Sequence, residues 1–167
     1  MEFRKSTTDD IEDILNIIRQ AQEYLKDAGI DQWQNGYPNK ETIEKDIKEE
    51  HSYVLVENNK VIATAAISFD EEKTYSTIFE GSWLSDKTYA VIHRIAVERS
   101  LKGSGLASII IKETERLSLQ KGVASIKVDT HKNNLSMQRF LEKNGFSYCG
   151  IIYLEDGSKR LAYEKFI

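Results

Sequence analysis

The chain has 167 residues, of which 40% are hydrophobic and 30% charged, and its formal net charge at pH 7 is −4. This length and composition are typical of one globular domain with a buried core. They exclude a disordered chain, a collagen-like chain and a disulfide-stapled miniprotein. The acidic charge argues against a general nucleic-acid-binding protein, which usually carries a basic excess. We therefore expect a single domain over residues 1–167 and no nucleic-acid partner.

Cysteine, histidine and apolar segments bear on compartment and metal content. Cys149 is the only cysteine, so it forms no disulfide within the chain, which fits a reducing compartment. The three histidines and Cys149 show no metal-ligand spacing, so no metal site is expected. The N-terminus lacks a signal-peptide core, and no apolar run approaches the ~18–20 residues of a membrane helix. We expect a cytoplasmic protein with no membrane partner.

Hydrophobic periodicity and turn residues predict eleven elements in the order β-α-α-β-β-β-α-β-α-β-β. The first half contains a strand at 2–5, a helix that starts at Asp9 as N-cap and ends near Gly29, a polar helix at 40–50, and a hairpin of strands 52–57 and 60–69. The second half contains an irregular insertion at 70–88, a strand at 89–97, a helix from Leu106 to near Gly122, a strand at 124–129, a helix at 135–144, and a hairpin of strands 146–153 and 159–166. This order predicts an α+β (mixed α/β) domain.

A glycine turn follows the strand at 89–97, which is apolar at nearly every position, as a central strand buried on both faces would be. Gly103 and Gly105 allow the backbone to turn sharply and to approach a ligand. The first N–H groups of the next helix have no intrahelical partners and lie at the positive end of its dipole. Lys102 adds a positive charge. A phosphate or pyrophosphate is the expected ligand, although the P-loop and dinucleotide motifs are absent.

Two motifs resemble those of the GCN5-related N-acetyltransferase (GNAT) superfamily. The first is that family's (Arg/Gln)-x-x-Gly-x-(Gly/Ala) motif after a buried strand, which here reads Lys102, Gly103, Ser104, Gly105, Leu106 and Ala107. Lys102 differs from the usual Arg or Gln but keeps a positive charge. The second is an asparagine followed by a helix that ends in Gly-Phe, here Asn134 to Phe146. Both motifs lie in the family's order and spacing, and the predicted elements match over about residues 2–166.

The resemblance implies a fold and a co-substrate. The fold would be a central, mostly antiparallel twisted sheet flanked by helices and splayed between the motif strand and the next strand. The co-substrate would be acetyl-CoA, with its pyrophosphate on backbone N–H groups of Gly103 to Ala107. Its pantetheine arm would pair with the backbone of Ile95, Ala96 and Val97, as a peptide adds a strand to a sheet edge. Asn134 matches the family's asparagine that contacts this arm.

The family reaction is the direct attack of an amine on the thioester. Many members use a tyrosine as the acid that protonates the leaving thiolate, but its position falls on Leu141 here. Tyr148 and Tyr153 on the following strand are candidate substitutes. The usual glutamate base is also missing, and His93 is the best general-base candidate because histidine titrates near neutral pH. The alternative for His93 is an ordinary packed strand residue.

Three aromatic residues are candidates for the acceptor pocket. Trp33 and Tyr37 lie in the loop after the first helix, and Trp83 lies in the insertion. Exposed aromatic side chains on loops are typical of binding surfaces. The alternative is that they cover the edge of the core.

The leading prediction for function is an N-acetyltransferase that acts on the primary amine of a small molecule, amino acid or peptide. The alternative is a CoA-binding or regulatory module of the same fold without catalysis, which the missing tyrosine and glutamate keep open. Helix and strand edges could also support a homodimer.

Overall fold

The structure is a computed structural model that describes all 167 residues. It contains seven strands and four α-helices in the predicted order. The strands are β1 (Glu2–Lys5), β2 (Ser52–Glu57), β3 (Lys60–Ser68), β4 (Ala90–Val97), β5 (Ser125–Thr130), β6 (Ser147–Tyr153) and β7 (Lys159–Phe166). The helices are α1 (Ile11–Asp27), α2 (Lys40–Lys48), α3 (Leu106–Gln120) and α4 (Leu135–Lys143). Each element lies within a few residues of its predicted bounds, which confirms the predicted α+β class.

The strands form a seven-stranded sheet in the order β1-β2-β3-β4-β5-β7-β6. The β1–β2, β2–β3, β5–β7 and β7–β6 pairings are antiparallel, whereas β4 and β5 are parallel. The parallel ladder joins Ala90 to Ile126 and Val91 to Lys127. It therefore covers only the first two of the eight residues of β4.

The chain divides into two compact units, and the first comprises Met1–Ile67 and Ile92–Glu113. Helix α1 has apolar residues at helical spacing, and this stripe forms the core of the unit. Ile14, Ile17 and Ile18 are almost completely buried, and they cluster with residues of α2, β2, β3 and β4. Burial of each such side chain contributes about 1.5–3 kcal/mol. The same core therefore holds β4 against α1 and α2.

The start of α1 differs from the prediction that Asp9 caps it. A short 3₁₀ turn, Thr8–Asp10, precedes the helix, and Thr7 is the N-cap of that turn. The Thr7 N–H donates to Asp10 Oδ2 at 2.7 Å, and Arg4 forms a bidentate ion pair with the same carboxylate. Asp10 is therefore the residue that fixes this entry to the helix, because its buried carboxylate joins the turn to β1.

The second unit comprises Ser68–Val91 and Thr114–Ile167. In it the insertion at 70–88 packs on the β5-β7-β6 part of the sheet. Tyr75, Val91, Ile152 and Ala162 form a buried cluster, and Trp83 packs against it. Phe79 exchanges two backbone hydrogen bonds with Ile151 of β6, each 2.8 Å. The insertion is thus attached to the sheet by both side chains and backbone.

No α-helix is both long enough and apolar enough to cross a bilayer. The structure also contains no group of three or more His, Cys, Asp or Glu residues that could hold a metal ion.

Candidate functional site

The glycine turn lies between a 3₁₀ turn at Arg99–Leu101 and the start of α3. Gly103 and Gly105 have φ angles of 84° and 89°, in the left-handed region that side chains with a Cβ rarely adopt. The Ser104 N–H donates to the Leu101 carbonyl at 3.2 Å and closes the turn. The sequence therefore folds here into a tight, glycine-dependent connection from β4 to α3.

The space beside this turn is open. A Cβ added to Gly103 or to Gly105 would meet no atom within 4 Å, so backbone conformation and not crowding within the protein explains both glycines. The Ile109 N–H is bonded to the Gly105 carbonyl at 3.2 Å and begins the helical ladder. The N–H groups of the first turn before it have no acceptor in the helix. An anion that approached the turn would meet these donors at the positive end of α3.

Two basic residues flank the turn, and both contact the C-terminal part of α1. The Lys102 ammonium lies 3.3 Å from the centroid of the Tyr24 ring, and Arg99 pairs with Glu23 at 2.8 Å. Both are exposed, so the ion pair contributes little to stability. Their positive charge at the mouth of the turn would attract a polyanion. The residues present therefore fit the pyrophosphate of CoA.

Strand β4 brings Ile95, Ala96 and Val97 to the same unit as the glycine turn. Ala96 is buried in the core cluster beside α1, whereas Ile95 and Val97 are half-buried. The strand ends where the Glu98 N–H donates to the Ile62 carbonyl of β3 at 2.9 Å. The segment therefore has one side chain anchored in the core and its end fixed to β3.

The model of the acetyltransferase (GNAT) family matches residues 13–146, which include both motifs. The chain belongs to this family. A comparison with curated proteins finds no match.

Solved structures agree with the GNAT assignment. A GNAT family acetyltransferase from Streptococcus agalactiae is 34% identical, with a TM-score of 0.90 over 99% of this chain and 95% of that one. A putative acetyltransferase from Staphylococcus aureus is 25% identical, with a TM-score of 0.74 over 99% of both chains. The PaiA N-acetyltransferase from Thermoplasma acidophilum, solved in complex with coenzyme A, is 17% identical with a TM-score of 0.75 over 99% and 98% of the two chains. This last similarity shows the GNAT fold alone.

The candidate catalytic residues of this GNAT protein lie in both units. His93 is half-buried in β4, two residues before Ile95. Tyr148 and Tyr153 are 50% and 42% exposed in β6. The ring of Tyr148 contacts Tyr163 edge-on, and that of Tyr153 contacts Phe79 edge-on. Their hydroxyl groups remain candidates for a proton-donating role.

Leu141 and Asn134 lie on or next to α4. Leu141, at the position of the family's tyrosine acid, is completely buried, so the side chain at this position has neither a proton to donate nor access to substrate. Asn134 is the N-cap of α4, and its Oδ1 accepts a hydrogen bond from the Met137 N–H at 3.1 Å. A capping role is thus present, and the contact of Asn134 with the pantetheine arm stays a prediction.

The three predicted acceptor-pocket residues have different environments. In the first unit, Trp33 packs against the core of α1, and the Tyr37 hydroxyl accepts a hydrogen bond from Arg94 Nη1 at 2.9 Å. Tyr37 is 45% exposed. In the second unit, the Trp83 Nε1–H donates to the Tyr75 carbonyl at 2.8 Å, and its ring faces the Lys127 ammonium at 4.2 Å. Of the three, Tyr37 is the most accessible to an acceptor.

Arg94 and Asp46 form an ion pair to which no sequence motif assigned a role. Arg94 donates from Nε and Nη2 to the two carboxylate oxygens of Asp46, at 2.8 and 2.6 Å. The signals were an arginine inside an apolar strand and an aspartate on the apolar face of α2, three residues after Ile43. Buried charges of this kind are paired. Each of the two residues therefore indicates that an oppositely charged partner exists, but does not identify that partner.

Proposed function

We propose that this GNAT protein transfers the acetyl group of acetyl-CoA to the primary amine of a small molecule, an amino acid or a peptide. The observation that carries the proposal is the glycine turn at the start of α3. It combines two left-handed glycines, open space beside them and the N–H groups of the first turn of α3, which have no acceptor within the helix. Acetyl-CoA supplies the acetyl group as a thioester, which is reactive toward amines.

The chain's residues would bind the co-substrate in two places. The N–H groups of the turn and of the first turn of α3 would hold the pyrophosphate, with Lys102 and Arg99 nearby. The backbone of Ile95–Val97 would hydrogen-bond the amides of the pantetheine arm as a neighbouring strand would. Asn134 is a further candidate for contact with this arm. These contacts would fix the thioester next to the acceptor amine.

The reaction we propose is a direct displacement. The neutral amine nitrogen attacks the thioester carbonyl carbon, a C–N bond forms, the C–S bond breaks, and the sulfur leaves as the CoA thiolate. A backbone N–H near Val97 would stabilise the oxyanion, because such donors lower the barrier to acyl transfer. His93 would take the proton of the amine, and Tyr148 or Tyr153 would protonate the thiolate.

The first experiment is a calorimetric titration of the purified protein with acetyl-CoA, desulfo-CoA and ATP. Micromolar binding of acetyl-CoA and desulfo-CoA with weak binding of ATP would support the CoA site. Absence of acetyl-CoA binding would contradict the proposal. An amine screen that follows release of the free thiol would then identify the acceptor class.

Substitution of Gly105 by valine tests the glycine turn directly. Gly105→Val should raise the dissociation constant of acetyl-CoA by about tenfold or more, equivalent to about 1.4 kcal/mol, because a β-branched side chain does not tolerate this φ and would fill the ligand space. Gly122→Val is the matched control, since Gly122 also has a left-handed φ of 70° and open surroundings, but lies after α3. Equal binding by the two variants would exclude the turn as the pyrophosphate site.

The role of His93 is tested by turnover. His93→Ala should lower kcat by roughly 10²-fold or more, as expected for loss of a general base, and should leave acetyl-CoA affinity within about twofold. The acidic limb of the pH–rate profile should change with it. A profile identical to that of the wild type would remove His93 as the base.

The second candidate is a CoA-binding module without catalysis. The observation that favours it is the burial of Leu141 in place of the family's tyrosine. This candidate also predicts acetyl-CoA binding, so calorimetry does not distinguish the two. Release of free thiol with any amine would exclude it.

A further inference from the structure

Arg94 has an unusual backbone conformation for a residue in a strand. Its φ is 53°, in the left-handed region, whereas β4 is otherwise an extended strand of eight residues. A long side chain at such a φ is disfavoured, and it persists only where surrounding contacts hold it. Left-handed residues inside strands are typical of β-bulges, which bend the strand and redirect the groups that follow.

The contacts that hold Arg94 come from α2 and from the loop before it. The guanidinium forms a bidentate pair with Asp46 and donates from Nη1 to the Tyr37 hydroxyl. The side chains of Arg94 and Asp46 are only 16% and 7% exposed. Burial acts to lower the pKa of Arg94, but Tyr37 and Asp46 together outweigh it and raise that pKa above its ordinary value. The arginine is therefore charged, desolvated and fixed by three hydrogen bonds.

The left-handed backbone at Arg94 lies directly before the segment that our proposed function assigns to the pantetheine arm. Beyond that segment the chain is fixed by the hydrogen bond from Glu98 to Ile62, and within it by the buried Ala96. The directions of the N–H and C=O groups of Ile95 and Val97 therefore depend on the backbone at residue 94. A regular β conformation there would redirect them.

We propose that Arg94 is a positioning residue, and that its contacts with Asp46 and Tyr37 hold the bend in β4 that presents the backbone of Ile95–Val97 to the pantetheine arm of acetyl-CoA. The inference rests on the proposed function. In this proposal the nucleotide half of the ligand binds at the glycine turn and the pantetheine half binds at the bent strand, so the binding of each half can be tested separately.

The test measures the dissociation constants of two ligands by calorimetry, below the unfolding temperature of each variant. One is acetyl-CoA, and the other is 3′-phospho-ADP, which is the nucleotide half of CoA with its two 5′ phosphates and no pantetheine. Arg94→Ala should lower the affinity for acetyl-CoA about tenfold and leave the affinity for 3′-phospho-ADP within about twofold of the wild-type value. Arg94→Gly should lose less acetyl-CoA affinity than Arg94→Ala, because glycine adopts the left-handed conformation without strain.

Arg4→Ala is the matched control. Arg4 of β1 forms the same type of bidentate pair with the buried Asp10, which lies in the 3₁₀ turn before α1. Its removal should lower stability but leave the ratio of the two dissociation constants unchanged. If Arg94 only stabilised the fold, Arg94→Ala would likewise leave the ratio of the two dissociation constants unchanged. If Arg94→Ala does not fold, Tyr37→Phe, which removes one hydrogen bond from an exposed side chain, should shift the same ratio by several-fold.

The outcomes separate the two proposals. Wild-type protein that binds neither ligand would overturn the proposed function, and this inference with it. Wild-type binding with equal weakening of both ligands in Arg94→Ala, or with acetyl-CoA affinity within twofold of wild type, would overturn the inference alone. Equal loss of acetyl-CoA affinity in Arg94→Gly and Arg94→Ala would mean that the guanidinium acts on the ligand directly, and would also overturn it.

Discussion

Lys127 on β5 is a buried amine held by aromatic rings. It is 3% exposed, and its ammonium lies 4.2 Å from the centroid of Trp83 and 3.9 Å from that of Tyr89. Burial lowers the pKa of Lys127, while the nearby Glu164 and Cys149 act in the opposite direction. The rings come from the insertion and from its junction with β4. Lys127 thus joins the insertion to the sheet through an interaction that requires a charge.

The lowered pKa of Lys127 predicts a pH dependence of stability. The unfolded chain binds the proton more tightly than the folded one, so the contribution of Lys127 to the free energy of unfolding rises with pH, from its folded pKa toward the ordinary 10.5. Lys127→Met has a side chain of similar length with no titratable group. The free energy of unfolding of the wild type minus that of Lys127→Met should therefore increase between pH 7 and pH 10.

Urea unfolding at four or five pH values measures this difference. Burial raises the pKa of the Cys149 thiol and of the Tyr89 hydroxyl. Both groups are present in the two proteins, so their contributions cancel to first order. A difference that stays constant from pH 7 to pH 10 would show that the pKa of Lys127 is the same in the folded and unfolded chains.

At the scale of elements, the insertion at 70–88 is held by its close backbone approach to β6. Phe79 pairs with Ile151, and Gly81 lies against the bulge of β6 at Cys149 and Gly150. A Cβ on Gly81 would lie 1.9 Å from the Cys149 carbonyl oxygen, although the φ of Gly81 is not left-handed. Glycine is required here by distance, whereas at Gly105 it is required by backbone conformation.

Gly81→Ala should lower the free energy of unfolding by about 1–3 kcal/mol, the usual range for overpacking against atoms that do not move freely. The contact is with backbone, so the insertion must shift relative to β6. Ser82→Ala is the matched control, because Ser82 is the exposed neighbour, and it should change stability by less than about 0.5 kcal/mol. Equal unfolding free energies for the two variants, measured in urea, would contradict the close approach.

Across the whole molecule, local sequence signals predicted every strand and helix. Apolar spacing in α1 and α3, turn residues at Asn58-Asn59 and Asp156-Gly157, and the continuous apolar run of β4 depend on neighbouring residues alone. The Asp9 cap was wrong because Thr7 and Asp10, with Arg4, offered a better-bonded start to the helix. Helix-capping propensity is a property of neighbouring residues, so it does not account for a partner such as Arg4 that comes from another element.

The strand order was less accessible to sequence analysis. The hairpin of β6 and β7 was predicted, but β7 lies between β5 and β6 in the sheet. Turn residues identify which strands are joined by a short loop, and they do not specify which of the two pairs with an earlier strand. That choice depends on side chains brought together from distant parts of the chain, such as Lys127 and Glu164, which are cross-strand partners.

The elements, the glycine turn and the resemblance to the GNAT family could be predicted from the sequence, because periodicity, glycine conformation and motif spacing are local properties. The left-handed backbone of Arg94, its pairing with Asp46 and the contact of Trp83 with Lys127 depend on tertiary packing and could not be predicted in this way. Arg94 and Asp46 are 48 residues apart. Whether two such charges meet is set by the packing of α2 against β4, which no stretch of neighbouring residues encodes.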